Sequence, residues 1–138
     1  MNADSRQAPT TLDQWFDAGT LNLLRAAALA HAVAAGMPER RAADVMIAVH
    51  ELAANVVRHG TGSGQLRTHI ADGVLRCVVD DGDQATRTVG DAGRWHCQPG
   101  HGLWLVREVA DQVTVVHWPG GSRVTVAFLL PDVGGPRV

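Results

Sequence analysis

The sequence has no basic excess. Its 12 Lys and Arg residues stand against 14 Asp and Glu, a formal net charge of −2 at pH 7. Such a balance offers no positive footprint for a phosphate backbone, so direct nucleic-acid binding is not expected. No apolar run approaches the roughly 18 residues of a membrane span, so no membrane role is expected either. The N-terminus, Met-Asn-Ala-Asp-Ser-Arg-Gln, lacks the basic-then-apolar plan of a secretory signal. Cysteine is scarce: Cys77 and Cys97 form no Cys-x-x-Cys unit. A chain of 138 residues buries enough surface to fold without disulfide staples. A reduced, cytoplasmic setting is the simplest reading. No repeat and no linker is visible, so residues 1–138 read as a single domain, with 1–10 and 131–138 flexible.

What is present falls into ordered elements. Leu12, Trp15 and Phe16 suggest a short helical turn that docks on the body. Residues 20–35, rich in Ala and Leu, predict a helix ending near Gly36. Pro38 suits the first turn of a second helix that runs to about His59, capped by Gly60. Val45, Val49, Leu52 and Val56 recur at three and four residues and give that helix one buried face. After the turn at 61–64, residues 65–71 and 74–80 predict two strands joined by Asp72-Gly73, a hairpin signal. Residues 81–101 show no period, and a loop of that length in a small domain is usually functional. Residues 102–111 predict a third helix, and 113–118 with 122–130 a second hairpin. Strands that pair locally favour an antiparallel sheet with helices on one face, an α+β two-layer sandwich.

The chemistry-bearing residues cluster on a few of these elements. Glu51, Asn55 and His59 are spaced by four on the second helix and share one column, with Arg58 one position off it. A carboxylate there can take a proton from an attacking hydroxyl. An amide oxygen is a hard, neutral ligand suited to Mg²⁺, and Arg58 can reach phosphate. The competing reading is a solvated polar face. His50-Glu51 is no zinc-protease motif, because the required second His is replaced by Ala54. His96, Cys97 and His101 match no standard zinc spacing. His31, His69 and His117 read as ordinary surface residues.

Asp80 and Asp81 pose a conflict. The spacing Asp80-Asp81-Gly82 favours Asp80 as an acceptor for an exocyclic amine such as that of adenine. Strand alternation puts Leu75, Cys77 and Val79 on the apolar face, and so turns Asp81 inward instead. A bulge would reconcile the two. Downstream, Gly100-His101-Gly102-Leu103 precedes an amphipathic helix, and glycines at a helix start present N–H groups to anions.

Together these residues resemble the GHKL ATPase superfamily with its Bergerat nucleotide fold. The likeness is strongest to its actinobacterial anti-sigma serine/threonine kinases. Residues 51–59 are similar to the family's N box, Asp80-Asp81-Gly82 to its first glycine box, and residues 100–106 to its second. The resemblance implies that Glu51 orients or deprotonates the attacking hydroxyl and that Asn55 ligates Mg²⁺. It implies that Asp80 and Gly82 form the adenine side, and that Gly100, His101, Gly102 and Leu103 line the phosphates beside Arg58 and His59. Residues 83–99 correspond to a lid over ATP. The implied partners are a sigma factor and a STAS-type antagonist phosphorylated on Ser or Thr, and members commonly form homodimers. The chain departs from the pattern at Gln84, where a second glycine is expected. Residues before Thr20 do not read as the strand that often opens these domains. A nucleotide-dependent partner-binding switch and an ATP hydrolase are the alternative functions.

Overall fold

The computed structural model describes residues 11–82 and 102–131. The first element is β1 (Thr11–Asp17), followed by a single 3-10 turn at Ala18–Thr20. Helices α1 (Leu21–Ala34) and α2 (Glu39–His59) come next, then the hairpin of β2 (Ser63–Ala71) and β3 (Val74–Gly82). Helix α3 (Gly102–Val109) and the hairpin of β4 (Gln112–Trp118) and β5 (Gly121–Leu129) complete the fold. The strands form one antiparallel sheet in the order β1-β2-β3-β5-β4. No helix among the described residues is long and apolar enough to cross a membrane.

One face of the sheet makes the core. Phe16, Leu66, Leu75, Cys77, Val79, Val124, Val126 and Phe128 share that face and are buried. They pack in one cluster with Leu24, Ala28 and Ala32 of α1, with Val45, Val49, Leu52 and Val56 of α2, and with Leu103 and Val106 of α3. Among the described residues the helices cover this face alone, and the expected α+β two-layer sandwich is what forms. Each fully buried Leu or Val here contributes about 1.5–3 kcal/mol relative to exposure. Burial pushes the Cys77 thiol up to about 12, so it stays protonated and acts as a small apolar filler.

The helices and hairpins lie where periodicity and turn chemistry place them. Asp72 and Gly73 both take positive φ, 55° and 75°, which the two-residue hairpin needs to match strand twist. Pro38 sits one position earlier than expected: it precedes α2 in extended conformation, and its carbonyl accepts from Ala42 N–H at 2.9 Å. Arg41 then ties the start of α2 to the end of α3. Its guanidinium donates to Asp44 at 2.7 Å, to the Val109 carbonyl at 2.9 Å and to Asp111 at 2.9 Å. It also lies 5.2 Å from the centre of the Phe128 ring.

One element differs from expectation. Residues 11–17 form a strand, not a helical turn, and they pair with β2 from Thr11↔His69 to Asp17↔Ser63. Cross-strand hydrogen bonding overrides the local sequence here, because β2 would otherwise be an open edge. The strand then hands over to the helices through a reciprocal cap: Asp17 Oδ1 accepts from Gly19 N–H, and Thr20 Oγ1 accepts from Asp17 N–H, both at 2.9 Å.

Candidate functional site

The second half of α2 is buried along one side and partly exposed along the other. Leu52, Ala53, Ala54 and Val56 are sealed in the core, while Glu51 and Asn55 remain half-exposed. Polar side chains persist in such a setting only where they reach water or a partner. Among the described residues, neither side chain has a hydrogen bond or ion pair. Their oxygens are hard donors of the kind that suits Mg²⁺. Arg58 and His59 continue the helix and are exposed.

The last residues of β3 lie beside the exit of α2. The register runs without a break through Gln65↔Asp80 and Gly64↔Asp81 on one side, and through Asp80↔Arg123 and Asp81↔Ser122 on the other. There is no bulge to reverse the alternation. Asp81 therefore shares the core face with Val79, and Asp80 points from the opposite face. Asp80, favoured by motif spacing, and Asp81, favoured by strand alternation, therefore lie on opposite faces, and Asp81 is the one on the face covered by α2.

Each aspartate is buried, with different company. Asp80 is bracketed by Arg67 at 2.6 Å and by Arg123 at 2.6 and 3.1 Å. Asp81 accepts from the Thr61 N–H at 3.0 Å and faces the Thr61 hydroxyl at 2.7 Å. Gly60 allows this approach, since a Cβ there would fall 2.0 Å from Asp81 Oδ2. Ser122, fully buried, sits directly across from Asp81 on the same face. Thr61 and Ser122 were not singled out from the sequence. Thr61 lies in the turn at 61–64, which carries no motif, and Ser122 meets Asp81 only through the non-local pairing of β3 with β5.

The remaining candidates divide as follows. Gly82 ends β3 opposite Gly121, and Gly102 opens α3. Leu103 is buried and anchors the first turn of α3 in the core. Gly100, His101 and the expected lid over 83–99 lie outside the described residues, as do His96 and Cys97. No group of three or more His, Cys, Asp or Glu side chains that could hold a metal ion occurs among the described residues. A metal here would need phosphate oxygens to complete its shell, the usual arrangement for Mg²⁺ at nucleotide sites.

The fold is similar to the crystal structure of the RsbU and RsbW domains of Rv1364c from Mycobacterium tuberculosis. The TM-score is 0.70 at 23% sequence identity, over 89% of this chain and 33% of that one. The chain thus spans about a third of that chain's length, and at this identity the likeness establishes the fold alone. No curated protein matches the sequence. The family model of the histidine kinase-like ATPase domain matches residues 15–128, from β1 to β5 and across every element described above. The chain belongs to the histidine kinase-like ATPase domain family.

Proposed function

We propose that the chain is an ATP-binding regulator, an anti-sigma factor that transfers a phosphoryl group from ATP to a Ser or Thr of a STAS-type antagonist. The observation that carries the nucleotide reading is the placement of Asp81. It lies on the face covered by α2, beside the end of the helix that carries Glu51 and Asn55. A buried carboxylate beside the exit of α2 and two hard oxygen donors farther back along the same helix suit a base and its phosphates.

Asp81 accepts a hydrogen bond from the adenine amine in this reading, in place of Asp80. Asn55 would hold Mg²⁺ through its amide oxygen, and the ion would neutralise charge on the phosphates. Glu51 takes the proton of the acceptor hydroxyl as that oxygen bonds to the γ-phosphorus and the bridge to the β-phosphate breaks, releasing ADP. Arg58 and His59 flank the phosphates. By the family resemblance, Gly100, His101, Gly102 and Leu103 would line the phosphates. The sigma factor and the STAS antagonist are the partners, the setting is cytoplasmic, and the protein works as a homodimer.

The test has two arms. Titration calorimetry should show ATP and ADP binding that strengthens with Mg²⁺; no binding at millimolar nucleotide refutes the site. Labelled ATP should then label a STAS protein with wild type and not with Glu51→Ala. Hydrolysis without protein labelling would favour an ATP hydrolase. Binding with neither reaction would favour a nucleotide-dependent switch.

A further inference from the structure

The carboxylate of Asp81 is steadied from outside its own strand. Thr61 is the second residue past α2. Its N–H and its hydroxyl converge on the same oxygen, Asp81 Oδ1, at 3.0 and 2.7 Å. The hydroxyl also lies 3.0 Å from the Ser63 carbonyl. A hydroxyl has one proton to give, and the shorter contact to an ionised acceptor is the stronger one. Two donors on one oxygen fix the rotation of the carboxylate. Gly60 closes the other side, with the space for its missing Cβ taken by Oδ2. Its φ of −107° is open to any residue, so glycine is needed there for room alone.

We propose that Thr61, with Gly60, is a positioning residue that sets the pose of Asp81 and so the preference for a 6-amino purine over a 6-oxo purine. This rests on the reading of the site as an adenine-nucleotide site. An ionised carboxylate accepts from an amine and repels a carbonyl oxygen in the same place. The repulsion discriminates only if the carboxylate cannot turn aside, because a site rejects the wrong group through contacts that cannot relax. Thr61 prevents that turn. It also follows the helix that carries Glu51 and Asn55, so the base acceptor and the phosphate end move with one element.

The experiment compares the affinities of ATP and inosine triphosphate, with Mg²⁺, for wild type and variants. Thr61→Val removes the hydroxyl at nearly constant volume. It should weaken ATP roughly tenfold, the size of one hydrogen bond to a charged group. Inosine triphosphate should stay within about twofold, a change too small for a lost hydrogen bond. Thr61→Ser should restore the wild-type ratio, and Gly60→Ala, which displaces Oδ2, should lower it. Thr61→Ala carries the same expectation and is decisive if the valine variant does not melt cooperatively. Equal losses for both nucleotides, or an unchanged ratio in the valine and alanine variants, would overturn the role of Thr61 and leave the nucleotide site standing. A wild type that binds both nucleotides equally, or neither, would overturn the adenine reading and this inference together.

Discussion

Asp80 and Asp81 are adjacent, equally buried at 1% exposure each, and on opposite faces of one sheet. Their donors separate them. Asp80 meets two guanidinium groups, Arg67 and Arg123, reaching across from β2 and β5. Its charge is met by charge, and the three side chains cross-link three strands. Asp81 accepts from the amide of Thr61 and faces its hydroxyl, two donors that orient the carboxylate. The same residue type thus ties three strands together on one face and is oriented by a neighbouring turn on the other. Burial alone does not distinguish the two roles; the chemistry of the partner does.

The comparison makes four tests, the largest effect first. If function resides on the covered face, Glu51→Ala should lower phosphoryl transfer by roughly 10²–10⁴-fold, the usual contribution of a general base, while nucleotide affinity and melting temperature hold. Equal rates for both proteins would empty that face of its catalytic role. Next, Asp80→Asn leaves two arginines facing a neutral amide. Discounted for the partial exposure of the arginines, this should cost on the order of 2 kcal/mol and lower Tm by roughly 5–10 °C. ATP affinity should not change, and calorimetric melting beside ATP titration reads both.

Asp81→Asn should show the converse: ATP affinity down by roughly tenfold, with a smaller change in Tm. An amide can turn its own N–H toward the adenine amine, which an ionised carboxylate never does. Should Asp80→Asn weaken ATP and Asp81→Asn leave it alone, the adenine amine is met by Asp80 and not by Asp81. The smallest effect concerns His31 on α1. Its Nε2 is buried without a partner, and burial lowers its pKa below the usual 6.5. The unfolded chain then binds a proton that the folded chain resists, so stability is lost as pH falls below about 6.5. His31→Gln should flatten the fall in Tm between about pH 7 and pH 5 relative to wild type.

How much of this could be read from the sequence differs by element. The periodicity of α2 and the Asp72-Gly73 turn are local signals, and local signals place elements well. Strand β1 gave no such signal. Its inward positions are Leu12, Gln14 and Phe16, and its outward ones include Trp15, which is 67% exposed. A polar residue faces the core side and a large aromatic faces water, so alternation is inverted at two of its positions. The strand exists because β2 supplies partners for its backbone. At Asp80 and Asp81, alternation along β3 carries the information about faces, and motif spacing carries none. A motif orders residues along the chain, and the pleat decides which side of the sheet each one sees. Thr61 and Ser122 lay beyond reach for a different reason: their contacts with Asp81 join segments about 20 and 40 residues away, and pairing of that range is not encoded locally.

The pairing of β1 with β2 also has a consequence for synthesis of the chain. β1 leaves the ribosome well before its partner, since β2 follows about 50 residues later. At about 5–20 residues per second, the interval is on the order of several seconds. During that time a strand bearing Trp15 and Phe16 has no native ladder to join. The β2–β3 hairpin, closed by two residues, can form as soon as it emerges and then offers β1 a template. β1 is thus captured retroactively, and a nascent chain stalled before β2 would expose it to any other sheet edge nearby.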